Sequence, residues 1–104
     1  MRVLIVDDEP ATGLFLESII KEIPGVITDV ATSGKEALEK AAISEPQAVF
    51  LDIDMPDMNG IEVLREVNRA YPAVKTIILT AHGNMDAAVQ ALRLKASDFL
   101  TKPI

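Results

Sequence analysis

The 104-residue chain contains no cysteine. That excludes a disulfide scaffold, a thiolate metal site and a cysteine nucleophile, and it leans towards a reducing compartment. Long apolar runs are also missing, since nothing approaches the ~18 residues of a membrane span. Met1-Arg2-Val3-Leu4-Ile5-Val6 opens like a signal peptide, but Asp7-Asp8-Glu9 cuts the stretch short. Positive charge is scarce, with 10 Lys and Arg against 16 Asp and Glu, a formal charge of −6. An acidic balance argues against direct nucleic-acid binding and against association with an anionic membrane. There is no repeat, linker or low-complexity tract to mark an internal boundary. What is present is 49% apolar and 25% charged residues, enough to build one core in a chain long enough for one domain. The expectation is a small, acidic, cytoplasmic domain spanning residues 1–104.

Periodicity supplies an alternation of elements. Val3-Leu4-Ile5-Val6, Ala48-Val49-Phe50-Leu51 and Thr76-Ile77-Ile78-Leu79 are continuous apolar runs of the kind found in strands buried on both faces. Val26 to Ala31 alternates as a further strand, and Phe99-Leu100 marks a short last one. Between them, Phe15, Leu16, Ile19, Ile20 and Ile23 recur at helical spacing before Pro24-Gly25. Ser33 and Glu36 read as a capping box ahead of a stripe of Ala37, Leu38, Ala41 and Ala42. Ile61, Leu64, Val67 and Tyr71 give a third helix, and Asn84 is placed to cap a fourth with Met85, Ala88, Val89 and Leu92 on its face. The resulting βαβαβαβαβ order demands a doubly wound α/β architecture, a parallel sheet with helices on both sides.

In such a sheet, ligands bind beyond the carboxyl ends of the strands. Asp7 and Asp8 follow the first strand, Asp52 the third, Thr80 the fourth and Lys102 the fifth. Each has an ordinary explanation alone: Asp8 as a helix cap, Thr80 as a turn residue, Lys102 as a solvated lysine. Together on one sheet edge they make a site. Three converging carboxylates repel one another and call for a cation. Oxygen-only ligands point to a hard ion such as Mg²⁺, which leaves positions open for phosphate oxygens. Lys102 and the Thr80 hydroxyl supply a positive charge and a neutral donor for a phosphoryl group. A carboxylate is the available nucleophile, so the site reads as phosphoryl transfer to an aspartate.

These residues also carry a family resemblance. Val3-Leu4-Ile5-Val6-Asp7-Asp8-Glu9-Pro10 resembles the opening of the receiver domains of bacterial two-component response regulators. So do Leu51-Asp52-Ile53-Asp54-Met55-Pro56-Asp57-Met58-Asn59-Gly60, Leu79-Thr80-Ala81 and Ala96-Ser97-Asp98-Phe99-Leu100-Thr101-Lys102-Pro103. Four motifs in the right order cover nearly the whole chain. The resemblance implies a flavodoxin-like five-stranded sheet of order 2-1-3-4-5. It implies Asp52 as phosphoacceptor, and Asp7, Asp8 and Asp52 with the Asp54 backbone carbonyl as Mg²⁺ ligands. Thr80 and Lys102 would contact the phosphoryl oxygens, Phe99 would change rotamer with Thr80, and the Lys102-Pro103 bond would be cis. The implied partners are a sensor histidine kinase or phosphotransfer protein and an effector of unknown kind. The domain would be a signalling acceptor that assists its own phosphotransfer and dephosphorylation rather than an enzyme. A fifth helix usual in the family is lacking here, so the sequence reads as truncated before it, with self-association through the uncovered sheet face as one consequence.

Two other readings compete. Asp52-Ile53-Asp54 also resembles the nucleophile and general acid of haloacid-dehalogenase-like phosphatases, although there the nucleophile follows the first strand of the core. A flavodoxin-like cofactor binder would want a phosphate-cradling loop and aromatics, and Asp7-Asp8-Glu9 is the opposite of an anion cradle. His82 is best read as a solvated loop histidine, Met55, Met58 and Met85 as ordinary loop and helix-face residues, and Asp57 as part of a solvated face.

Overall fold

A computed structural model describes residues 1–54, 60–81 and 85–102, with side chains at 81, 85, 87 and 88 outside the description. The readings of Met55, Asp57, Met58, His82, the Asn84 cap, the Met85 and Ala88 helix face and the Lys102-Pro103 bond lie outside the described residues. The elements run β1 (Arg2–Val6), α1 (Pro10–Ile20), β2 (Ile27–Ala31), α2 (Gly34–Ser44), β3 (Ala48–Asp52), α3 (Gly60–Ala70), β4 (Lys75–Ala81), α4 (Met85–Arg93) and β5 (Asp98–Lys102). All five strands are parallel, in the order β2-β1-β3-β4-β5. The order reverses between β1 and β3, which opens a crevice at their carboxyl ends.

Two apolar layers sandwich the sheet. The larger joins Leu4, Val6, Val49, Leu51 and Ile78 of the strands to Ala37 and Ala41 of α2, Ile61, Leu64 and Val67 of α3, and Ala91 of α4. The smaller sets Val3, Ile5 and Leu79 against Leu16 and Ile20 of α1. Strand alternation therefore assigns every residue to a face. In parallel register, residues paired across strands share it, as Leu4 does with Val49 and Val49 with Thr76.

The helix ends follow local chemistry. Pro10 opens α1 with its ring-fixed φ, and Glu9 stands at the cap without a side-chain bond. Asp8 is thus not a helix cap. At α2, Ser33 Oγ accepts from Glu36 N–H at 3.1 Å, while Glu36 accepts at 2.8 Å from Thr32 N–H, one residue ahead of the bond in a standard capping box. After α4, Ala96 N–H reaches Ala91 O at 3.1 Å and Lys95 N–H reaches Leu92 O at 3.0 Å, a Schellman closure. Its left-handed position is filled by Lys95, with φ 71°. Glycine removes the steric cost of that conformation, about 1–2 kcal/mol, but loosens the unfolded chain by about 0.4–1 kcal/mol. Lys95→Gly is therefore expected to raise stability by about 0.5–1 kcal/mol, read as a higher urea midpoint at unchanged slope. A lower midpoint would show that the Lys95 side chain makes a contact worth more than the strain.

The apolar stripe of α1 is only half used. Leu16 and Ile20 are buried, but Phe15, Ile19 and Ile23 are 49%, 51% and 55% exposed, and the helix ends at Ile20 rather than running to Ile23. The reason is geometric. Glu17 accepts a hydrogen bond from Thr28 of β2 at 2.9 Å, and a Cβ on Gly13 would meet Val30 of β2 at 3.1 Å. That flank faces β2, so Phe15 and Ile19 on the opposite flank lean towards strands β3 to β5. There, among the described residues, no helix besides α1 lies on that side of the sheet. The stripe of α2 is likewise narrower than its periodicity suggests, with Ala42 exposed and Ile43 85% exposed. Val26 precedes β2 instead of starting it.

Candidate functional site

Register brings the charged residues to one place. Asp7 continues the parity of Val3 and Ile5, Asp52 that of Ala48 and Phe50, and Lys102 that of Leu100, so all three emerge on the α1 face at the carboxyl edge. Asp7 N–H still donates to Ala31 O at 3.0 Å, and Ile53 N–H to Leu79 O at 3.1 Å, so the ladder fixes both acidic positions. The Asp7 and Asp52 side chains are 0% and 1% exposed.

Buried carboxylates need partners. Each has the N–H two residues ahead: Glu9 N–H donates to Asp7 Oδ1 at 2.9 Å, and Asp54 N–H to Asp52 Oδ1 at 2.9 Å. These paired Asx-turns bend the chain away just after each strand. The other two oxygens share one ammonium, with Lys102 Nζ 2.9 Å from Asp7 Oδ2 and 3.1 Å from Asp52 Oδ2. Asp8, half-buried, completes a trio whose carboxylate oxygens lie within 4.8 Å of one another.

The electrostatics express the same crowding. Burial pushes the Asp52 carboxyl above its ordinary value, and Asp8 adds to the rise. The Asp54 N–H and Lys102 pull the other way without cancelling it. For Lys102, burial pulls down, but hydrogen bonding and charge from Asp7 and Asp52 outweigh it and hold the ammonium above its ordinary value. Three carboxylates against one ammonium leave a formal deficit that a divalent cation fits, and the donors are the hard oxygens Mg²⁺ prefers.

Thr80 and Phe99 stand on the opposite face. Leu79 pairs with Asp52, so Thr80 lies one residue further along β4 and turns towards α4, fully buried. Phe99 pairs with Ile78, Thr101 pairs with Thr80, and the Phe99 ring packs partly buried against the larger core. Thr80 and Phe99 are therefore diagonal neighbours on adjacent strands. The register sets Asp7, Asp52 and Lys102 on one face and this pair on the other, with Thr80 at the shared carboxyl edge.

A doubly wound domain with a buried acidic cluster and a lysine reaching its switch point has the donors to hold a divalent cation and to receive an anionic group. The response regulator receiver domain family matches residues 3–104, and the chain belongs to that family. It is 38% identical over 102 residues to the chemotaxis protein CheY of Thermotoga maritima, covering 98% of this chain and 85% of that protein. It is 41% identical to a protein-glutamate methylesterase/protein-glutamine glutaminase of Desulfotalea psychrophila and 37% to the regulatory protein LuxO of Vibrio cholerae. The chain spans only 29% and 22% of those two proteins. Among solved structures, the receiver domain of NtrX from Brucella abortus superposes with a TM-score of 0.90 at 32% identity, covering 98% of this chain and 86% of that one. This is a signalling domain of two-component phosphorelays. The phosphatase reading of Asp52 and Asp54 is not supported: the family is a different one, and Asp52 ends the third strand.

Proposed function

We propose that Asp52 accepts a phosphoryl group from a sensor histidine kinase or phosphotransfer protein, in the cytoplasm, with Mg²⁺ held by Asp7, Asp8, Asp52 and the Asp54 carbonyl. The observation that carries this is Lys102 bridging two buried carboxylates while Asp8 closes the trio. An Asp52 carboxylate oxygen attacks phosphorus in line. The phosphorus–nitrogen bond of the donor phosphohistidine breaks, and the imidazole leaves with the electron pair. The Asp54 N–H holds Oδ1 so that the carboxylate keeps one orientation, and Lys102 offers its N–H groups to the phosphoryl oxygens. Bound Mg²⁺ supplies further positive charge to those oxygens and offsets the trio's repulsion. Because the domain brings these groups itself, it assists its own phosphorylation and, by the same groups, its dephosphorylation.

The Thr80 hydroxyl then turns to the new phosphate, and Phe99 fills the space beneath it, biasing a two-state equilibrium. The exposed Val89 and Leu92 of α4 give an output partner an apolar foothold beside that switch. The domain spans residues 1–104, and its α1-side face is one that a further helix, or a second copy, would cover. No membrane contact is proposed: among the described residues, no helix is long and apolar enough to cross one.

Incubation with acetyl phosphate and Mg²⁺, followed by intact mass, tests the acceptor. One labile phosphoryl adduct with no turnover of phosphomonoesters is expected, whereas turnover without an adduct would favour a phosphatase. Asp8→Ala tests the metal. Mg²⁺ affinity is expected to fall at least about tenfold, given that losing even an outer-shell partner costs roughly 10–100-fold. Stability without metal should rise, and the gain should shrink with added salt. Unchanged affinity by titration would remove Asp8 from the site.

A further inference from the structure

Gly60, the first residue of α3, lies against the backbone of the acceptor strand. A Cβ there would stand 2.7 Å from Asp52 O and 3.0 Å from Ile53 C, and closer still to Ile53 Cα. Ordinary contact begins near 3.4 Å, and every one of these neighbours is main chain, which cannot swing aside as a side chain does. The Asp52–Ile53 peptide is also held from its other edge. Ile53 N–H donates to Leu79 O of β4 at 3.1 Å, and the Ile53 side chain is buried in the larger core. Retreat of α3 is equally costly, because Ile61, Val63, Leu64 and Val67 are all buried.

We propose that Gly60 is a positioning residue for phosphoryl transfer: the bare α-carbon at the start of α3 sets where the Asp52–Ile53–Asp54 peptides lie. The inference rests on the reading of Asp52 as acceptor. Through that segment Gly60 governs two things at once. One is the Asp54 N–H that fixes Asp52 Oδ1 at 2.9 Å, and the other is the Asp54 carbonyl assigned to the metal. Any side chain at 60 moves both by roughly an ångström, a displacement that in a preorganised site costs on the order of 100-fold in rate.

The test compares Gly60→Ala with Gly13→Ala, whose added Cβ meets only the end of the Val30 side chain and no member of the acidic trio. Both are made in the wild-type chain and in the Lys95→Gly background, and held at low temperature so that a destabilised variant stays folded. Thermal unfolding reports stability, Mg²⁺ titration reports the metal, and acetyl-phosphate labelling per folded molecule reports transfer. The expected result is that Gly60→Ala weakens Mg²⁺ at least about tenfold and slows labelling about 100-fold, while Gly13→Ala changes stability alone. Equal Mg²⁺ affinity and labelling in folded Gly60→Ala would overturn the proposal and leave Gly60 a packing residue. So would a Gly60→Ala chain that folds in neither background, because Gly60 would then serve the fold before the site. Absence of any adduct on the wild-type chain would instead count against Asp52 as the acceptor, an outcome distinct from either.

Discussion

Asp52→Asn is expected to abolish the phosphoryl adduct and, without Mg²⁺, to leave the protein more stable than wild type at neutral pH. The first half follows from chemistry. Asparagine keeps the size and can still accept the Asp54 N–H bond that Oδ1 receives at 2.9 Å, but it offers no anionic oxygen to phosphorus. The second half follows from linkage. Burial holds the Asp52 carboxyl above the 3.8 of an unfolded chain, and that rise already includes the attraction of Lys102. Between 3.8 and the raised value the native state binds more protons than the unfolded one, so stability falls as pH climbs through that window and stays lost above it. The amide does not titrate and escapes the loss. Lys102 works in the opposite sense. Its raised value contributes stability that is present below 10.5 and lost only as pH rises through the folded value, and Asp7 remains to hold it at 2.9 Å in the variant. Denaturant unfolding from pH 3 to 8 should show the two proteins converging in acid and the variant ahead at neutrality. Mg²⁺ should narrow the gap by stabilising wild type alone. A variant less stable at every pH would mean that Lys102 and Asp54 outweigh burial. A stable adduct on the variant would remove Asp52 from the reaction.

The site was legible in sequence because each member ends or closely follows a strand, and strand ends in a parallel sheet converge whatever the loops do. Asp7, Asp52 and Lys102 needed only the β/α alternation to be brought together. The parity that sends Thr80 and Phe99 to the other face was also implicit in the two-residue strand repeat, once the register was known. The backbone donors were less visible. Glu9 and Asp54 act through their N–H groups, which every residue except proline possesses, so their signal is the aspartate two positions earlier. Gly60 gave no signal beyond closing a motif, because its role is the absence of a side chain against a peptide distant in no obvious pattern. Periodicity misjudged α1 for a related reason. It detects an apolar stripe but not whether a partner surface exists, and Phe15 and Ile19 carry the stripe out over strands that no described helix covers.

That face, which among the described residues no helix besides α1 covers, carries the last expectation, which is that this chain self-associates. Phe15 and Ile19 are about half exposed, Leu100 is 40% exposed, and Phe50 and Ile77 on the same face of the sheet are only partly buried. Contiguous apolar surface beyond the few hundred Å² that a monomer ordinarily exposes marks a contact. At ~25 cal/mol/Å², leaving it wet forfeits several kcal/mol, comparable with the whole stability of a small domain. A second copy presenting the same face recovers part of that, since a two-fold contact lets one patch serve both partners. Light scattering over a dilution series should show dimers or larger species dissociating as concentration falls. Phe15→Glu with Ile19→Lys should return a monomer at all concentrations. The monomer fold should survive, because neither side chain belongs to the buried clusters that join Leu16 and Ile20 to the sheet. A longer chain whose added residues fold as a helix over this face should likewise be monomeric, and more stable in urea by several kcal/mol on the same area argument. The two covers compete for one surface, so the longer chain should gain nothing from the double substitution, whereas the 104-residue chain should change its mass. A monodisperse wild-type monomer with high thermal stability would refute self-association and show that Phe15, Ile19 and Leu100 are tolerated in water.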